Sequence, residues 1–336
     1  MPVEAFPTLS PERLRKRSVG NLLRMGHCAP TVMQTMLDAS DTEAKWLVLL
    51  MAGLPGGIGN TGGECGGLTA PLMQIGLRHG REETDDGLAL VVEKGHELLQ
   101  RFTARCGTTQ CREILGDARV PLRCIGVVRE APAMCAQCLV ASTEHAISPD
   151  ARQAYRQLYE HWQEQGFHCA DAVFAELDTA GTPAELTDAV TAFIGGTVFT
   201  GMTCSALTAG VMALGLALGE IEDSRPRVAR MIATIALGGN ALADDVNKFN
   251  RAMNLGHDLA RWFEAQFGST QCRTLTGSDF ATAQGVHAYI EHDGTSECAR
   301  TARLVAERVA ELIAAQAPAN GSPVRDAGSE RATTER

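Results

Sequence analysis

Eleven cysteines in 336 residues are the side chains with most chemistry to offer. Thiolates attack disulfides, bind zinc and ligate iron-sulfur clusters. Eight of them fall into two sets of four that recur in the same order, each set with two histidines: His27, Cys28, Cys65, His96, Cys111 and Cys135, then His168, Cys169, Cys204, His257, Cys272 and Cys298. The neighbours recur too. Met25-Gly26-His27-Cys28-Ala29 matches Gly166-Phe167-His168-Cys169-Ala170, and Cys65-Gly66-Gly67-Leu68-Thr69-Ala70 matches Cys204-Ser205-Ala206-Leu207-Thr208-Ala209. Gly107-Thr108-Thr109-Gln110-Cys111-Arg112 matches Gly268-Ser269-Thr270-Gln271-Cys272-Arg273, and the preceding histidine stands 15 residues before the cysteine in both copies. The fourth pair, Cys135 with Cys298, rests on shorter matches, Cys-Ala and Leu-Val.

A repeat of this length means a duplicated unit. The first copy is assigned to residues 1–147 and the second to 148–316, with 317–336, rich in Ala, Pro, Gly, Ser and charge, expected to be a disordered tail. The second copy carries a net insertion of 22 residues between its second and third cysteine, around Glu220 to Asn250. Both copies open on a helix start, Ser10-Pro11-Glu12 and Ser148-Pro149-Asp150, in which Ser caps and Pro takes the first helical position. Amphipathic runs such as Val91 to Ala104 and Arg303 to Ala315, with no alternating strand pairs, predict an all-α fold. The two homologous halves are expected to pack as an internal pseudo-dimer.

Composition narrows the partners. A formal charge of -10 disfavours nucleic acid and anionic lipid surfaces. The segment Ala189 to Gly219 has no formal charge and is long enough to span a bilayer, but its Gly-Gly and Thr positions predict a loop followed by a buried core helix. The N-terminal residues lack a secretory pattern, so the thiols are expected in a reducing cytoplasm without structural disulfides. The partner is then a redox protein or a small-molecule substrate. Surfaces rich in Gly and Ala leave room for a homo-oligomer.

The central cysteine of each copy follows a Gly-rich stretch, Gly53 to Gly59 or Gly195 to Gly201, and opens an apolar helix-like run. A helix N-terminus lowers a thiol's pKa through free N–H groups and the dipole, so thiolate is the expected form. Four thiols per copy suit an iron-sulfur site, while Cys65 with Cys111 would suit a dithiol-disulfide cycle with His27 or His96 as proton partner. Zinc held by Cys and His is a third reading. A helical scaffold in which cysteines only pack is a fourth. The first copy alone adds Cys106, Cys124 and Cys138, making a C-x4-C pair with Cys111 and a C-x2-C pair with Cys135, and is read as the more metal-competent. Its candidate metal ligands are therefore Cys28, Cys65, Cys106, Cys111, Cys135, Cys138, His27 and His96.

At these residues each copy resembles the redox-active family named for its pattern C_GCAxxG_C_C. The resemblance runs from about Ser10 to about Ala315, with Gly67 for the motif's Ala and Ala70 for its last Gly in the first copy, and Ser205 and Ala209 at the Gly positions in the second. It implies that Cys28, Cys65, Cys111 and Cys135, and Cys169, Cys204, Cys272 and Cys298, bind a cofactor. Because a related domain accompanies iron-sulfur binding in split-Soret-type cytochromes, the resemblance makes a cluster the leading cofactor.

Overall fold

The computed structural model describes residues 10–80, 87–116, 122–140, 147–177, 183–220, 225–237 and 250–316. The expected C-terminal tail lies outside them. The first half runs α1 (Pro11–Met25), α2 (Cys28–Ala39), α3 (Lys45–Leu50), α4 (Gly66–His79), α5 (Gly87–Cys106), α6 (Cys111–Leu115) and α7 (Leu122–Val140). The second runs α8 (Pro149–Glu164), α9 (Ala172–Glu176), α10 (Leu186–Val190), α11 (Ser205–Leu218), α12 (Arg225–Ala236), α13 (Arg251–Phe267), α14 (Cys272–Thr276), α15 (Ala283–Glu291) and α16 (Gly294–Ala314). The described residues form no named strand, so the fold is all-α. The helix starts follow the sequence: the Ser10 and Ser148 hydroxyls accept the N–H groups of Arg13 and Ala151, with Pro11 and Pro149 at the first helical positions. Among the described residues, setting α12 and α15 aside leaves two sets of seven helices in the same order.

The halves embrace across a pseudo-two-fold axis. Helix α4 packs on α10, and reciprocally α11 packs on α3. Two glycines at equal distance after the central cysteines permit this. A Cβ on Gly76 would lie 2.5 Å from the Asp188 carbonyl oxygen, and one on Gly215 would lie 2.5 Å from that of Leu49. On the axis itself Glu64, 1% exposed, meets its own repeat mate Thr203. Its carboxylate accepts the Thr203 N–H at 2.9 Å and the Thr203 hydroxyl at 2.6 Å. Two equivalent positions can touch only where the axis passes between them.

The uncharged Ala189 to Gly219 segment resolves into the end of α10, a short 3-10 turn, a loop and the buried α11. Among the described residues no helix is long and apolar enough to cross a membrane. Each insertion of the second half contributes a helix: α12 lies against α1 of the first half, and α15 lies on α8.

The two Gly-rich stretches are not ordinary loops. Residues 56–60 have φ of 75, 84, 45, 65 and 58°, and residues 195–199 have 54, 69, 65, 44 and 62°. Each is a turn of left-handed helix, a conformation that costs L-residues about 1–2 kcal/mol apiece. Ile58, Thr197, Val198 and Phe199 adopt it without glycine's freedom. Tertiary packing holds them there. Gly59 sits against the backbone of Gly256 in α13, Val198 sits over Gly95 in α5, and Phe199 stacks on Tyr155 with ring centroids 4.6 Å apart. His96 donates from Nε2 to the Val198 carbonyl at 2.7 Å.

Crowding in this turn is testable against backbone conformation alone. Gly57 and Gly107 share φ +84°, but a Cβ on Gly57 would come 2.5 Å from the Gly63 nitrogen, while one on Gly107 would meet nothing within 4 Å. Gly57→Ala is expected to cost about 3 kcal/mol or more, and Gly107→Ala about 1 kcal/mol, read from urea midpoints. Equal losses would show that the turn is not tightly packed.

Candidate functional site

Each left-handed turn delivers the chain to the N-terminus of a helix, with the central cysteine as its cap: Cys65 before α4 and Cys204 before α11. The third cysteine is pinned to the second by backbone pairing. The Cys65 N–H donates to the Thr109 carbonyl at 2.9 Å, and the Cys111 N–H to that of Gly63 at 2.6 Å. The second half repeats it, with the Cys204 N–H on Thr270 at 2.8 Å and the Cys272 N–H on Met202 at 2.6 Å. The next residue adds a clamp. Nη2 of Arg112 donates to the Thr61 carbonyl and Nη2 of Arg273 to the Thr200 carbonyl, both at 2.6 Å.

The first cysteines, Cys28 and Cys169, are brought in by the chain leaving α1 and α8. The turn places an N–H near each: that of Gly56, with those of Ala29 and Gly66, acts to lower the Cys28 pKa, and that of Gly195 acts likewise on Cys169. Gly66 must lack a side chain, since its Cβ would stand 2.6 Å from the Cys28 Sγ. At the matching position Ser205 accepts from the Cys169 thiol at 3.4 Å and donates to the Phe193 carbonyl at 2.6 Å.

The fourth member is where the structure departs from the sequence reading. Cys28, Cys65, Cys111 and Cys124 interact electrostatically pair by pair: Cys28, Cys111 and Cys124 all raise the pKa of Cys65, Cys28 and Cys124 raise that of Cys111, and Cys28 raises that of Cys124. In the second half Cys204, Cys169 and Cys298 all raise Cys272, Cys298 raises Cys169, Cys169 raises Cys204, and Cys204 raises Cys298. Cys135 is elsewhere: its thiol donates to the Pro71 carbonyl at 3.7 Å, and the charge that acts on it is that of Cys138. Register explains the substitution. Cys135 follows Cys124 by the same eleven residues that separate Val309 from Cys298. Val309 packs at Gly210, the repeat equivalent of Pro71. Cys124 is thus the counterpart of Cys298, and the alignment of Cys135 with Cys298 is corrected.

The other candidate ligands also stand apart. Cys138 faces Glu97, Arg101 and Lys94, and Cys106, half-buried at the end of α5, faces Arg105. His96 serves the turn of the opposite half, and burial lowers its pKa, keeping it neutral. His168 is a capping residue whose Nδ1 accepts the Asp171 N–H at 3.2 Å, and His27 holds the matching position before α2.

The helix-terminus argument for thiolate is overruled by burial. Desolvation pushes Cys65 well above its ordinary value, Cys204 up to about 11, and Cys124, Cys169 and Cys298 up to about 12. The N–H groups of Gly67 on Cys65 and of Ala206 and Leu207 on Cys204 pull the other way and lose. Without a cation, these thiols stay protonated at neutral pH.

In the second half the four sulfurs line one cavity of about 400 Å³, floored by Trp162, Gly195 and Phe280. Helix α15 adds a group the repeat comparison did not single out. Tyr289 is 2% exposed, and its hydroxyl lies beside the Cys298 thiol and the Thr295 hydroxyl without a closed hydrogen bond to either. Among the described residues no three His, Cys, Asp or Glu side chains converge as a single metal ion requires.

Comparison with known proteins agrees with the repeat. Residues 26–151 and 167–312 each match the family described as "Putative redox-active protein (C_GCAxxG_C_C)". No curated protein and no solved structure matches the chain. Two matches that together take in most of the sequence, each enclosing its four mutually facing cysteines, make this chain a member of the C_GCAxxG_C_C family with two tandem copies of the family domain.

Proposed function

We propose that each half holds an iron-sulfur cluster through its four mutually facing cysteines, Cys28, Cys65, Cys111 and Cys124 in the first and Cys169, Cys204, Cys272 and Cys298 in the second, and that the chain carries electrons. The observation that supports this best is the second-half cavity, where four sulfurs from four separate elements surround about 400 Å³. The donor set is soft and all sulfur, which suits iron-sulfur clusters. A single zinc ion would draw its thiolates within about 2.3 Å of one point, whereas these sulfurs leave room for a larger group. A bound cluster would supply reversible one-electron chemistry and the positive charge that the buried thiols lack.

The protein's own contribution is positional. The paired segments fix Cys65 to Cys111 and Cys204 to Cys272 before any cofactor arrives, which reduces the ordering cost of binding. The left-handed turns present N–H groups to Cys28 and Cys169, where they would hold negative charge on sulfur. Burial excludes water. It also disfavours a metal-free dithiol mechanism, because the attacking species is thiolate and burial keeps these thiols protonated. All eleven cysteines are free, as a reducing compartment such as the cytoplasm would leave them. The electron acceptor is a partner protein or a small molecule.

Cys124 and Cys135 separate this reading from the one that spacing suggests. After anaerobic reconstitution with iron and sulfide, Cys124→Ser is expected to retain about half the iron of the parent, and Cys135→Ser all of it. The reverse order would restore the spacing-based ligand set.

The cofactor-free chain has a pH signature. Folded-state thiol values of about 11 for Cys204 and about 12 for Cys169 lie above the ordinary 9.0, so the folded chain holds protons that the unfolded chain releases. That stabilisation is whole below pH 9 and is lost as pH rises through these values. The urea midpoint of the metal-free protein should therefore fall on raising the pH above 9. A midpoint flat across this range would contradict the burial of the thiols.

A further inference from the structure

The two halves repeat their cysteines but not their hydroxyls. Around the second set stand Ser205 against Cys169, Tyr289 against Cys298, and Thr295 beside the Tyr289 hydroxyl. In the first half Gly66 replaces Ser205, and Pro121 stands three residues before Cys124 where Thr295 stands before Cys298. The phenol has no counterpart at all: the three tyrosines are Tyr155, Tyr159 and Tyr289, every one in the second half. Tyr289 comes from α15, which lies in the segment between Cys272 and Cys298 that is thirteen residues longer than the one between Cys111 and Cys124.

A phenol that is 2% exposed with no closed hydrogen bond is a donor waiting for a better acceptor. A protonated thiol is a weak acceptor, and a sulfur anion a strong one. The Tyr289 hydroxyl therefore finds its partner when Cys298 carries negative charge as a cluster ligand. Hydrogen bonds to ligand sulfur are among the settings of a cluster's reduction potential. They favour the more negative, reduced state, so they raise it.

We propose that the two halves are unequal redox sites and that the Tyr289 hydroxyl makes the second half the one on which an electron comes to rest. This rests on the cluster reading above. Glu297 raises the pKa of Cys298, opposing a gain of charge there, but it is exposed, paired with Arg300 at 3.0 Å and screened by solvent; Arg123, beside Cys124, is likewise exposed and screened. The path between halves is short. Glu64 and Thr203, hydrogen-bonded to each other on the pseudo-axis, immediately precede Cys65 and Cys204. An electron given to the first half by a one-electron donor moves to the second, reoxidising the first site and reducing the second with no transfer of atoms.

The test is a redox titration of the full chain, reconstituted anaerobically with iron and sulfide, using dithionite as the donor and visible absorption as the readout. The parent is expected to show two waves. Tyr289→Phe should move the upper wave down toward the lower and leave the lower in place, and Thr295→Val provides a second variant that tests the same corner of the site. Uptake of iron with a single wave, or with an upper wave that stays put in both variants, overturns this inference while the cluster reading stands. A chain that takes up no iron overturns both.

Discussion

Five consecutive residues in left-handed helix precede each central cysteine, and the rest of the site follows from that turn. It reverses the chain so that the central cysteine caps a helix, and it places the N–H of Gly56 or Gly195 near the first cysteine. It is followed by a short segment, with Gly62 or Gly201 again at positive φ, that pairs with the segment carrying the third cysteine. No local preference selects this conformation for Ile58, Thr197, Val198 or Phe199. The strain is offset across the pseudo-axis, where the first turn lies against Gly256 and the second against Gly95 and His96 of the other half. Each half thus holds the other's cysteines in place, which gives the duplication a physical reason: one copy alone would leave its turn unsupported.

Pseudo-symmetry of this kind lets the copies diverge where they do not touch. The contacts on the axis are kept in both halves, as the pairs Gly76 with α10 and Gly215 with α3 illustrate. Away from it the second half has gained α12 and α15. Helix α12 reaches back to the first half, where Val228 and Met231 cover Gly26 beside the first cysteine. Helix α15 stays in its own half and lends it Tyr289, Phe280 lying just before it. The duplicated frame supplies two thiol sets, and the insertions make their surroundings different.

The sequence made the architecture readable because its signals are local: Ser-Pro helix starts, apolar periodicity, and cysteine neighbourhoods that recur in register. The site was half readable. Cys28, Cys65 and Cys111 and their mates announce themselves by their neighbours, whereas Cys124 was hidden because α15 shifts the register before Cys298 and the Cys-Ala dipeptide at Cys135 offered a false match. The handedness of the turns was not readable, since glycines mark a loop but long-range packing sets its φ. Thiol ionisation was misread for a related reason. A helix N-terminus is visible in sequence, but burial, which outweighs it at Cys65 and Cys204, belongs to the folded whole.

The central claim is that these buried thiols are ligands waiting for iron. It is tested most directly by purifying the unaltered chain without oxygen and determining iron and acid-labile sulfide together with the visible spectrum. Iron and sulfide in comparable amounts, with broad thiolate-to-iron absorption, is the predicted result. A colourless chain without iron or sulfide, unchanged after reconstitution, would contradict it.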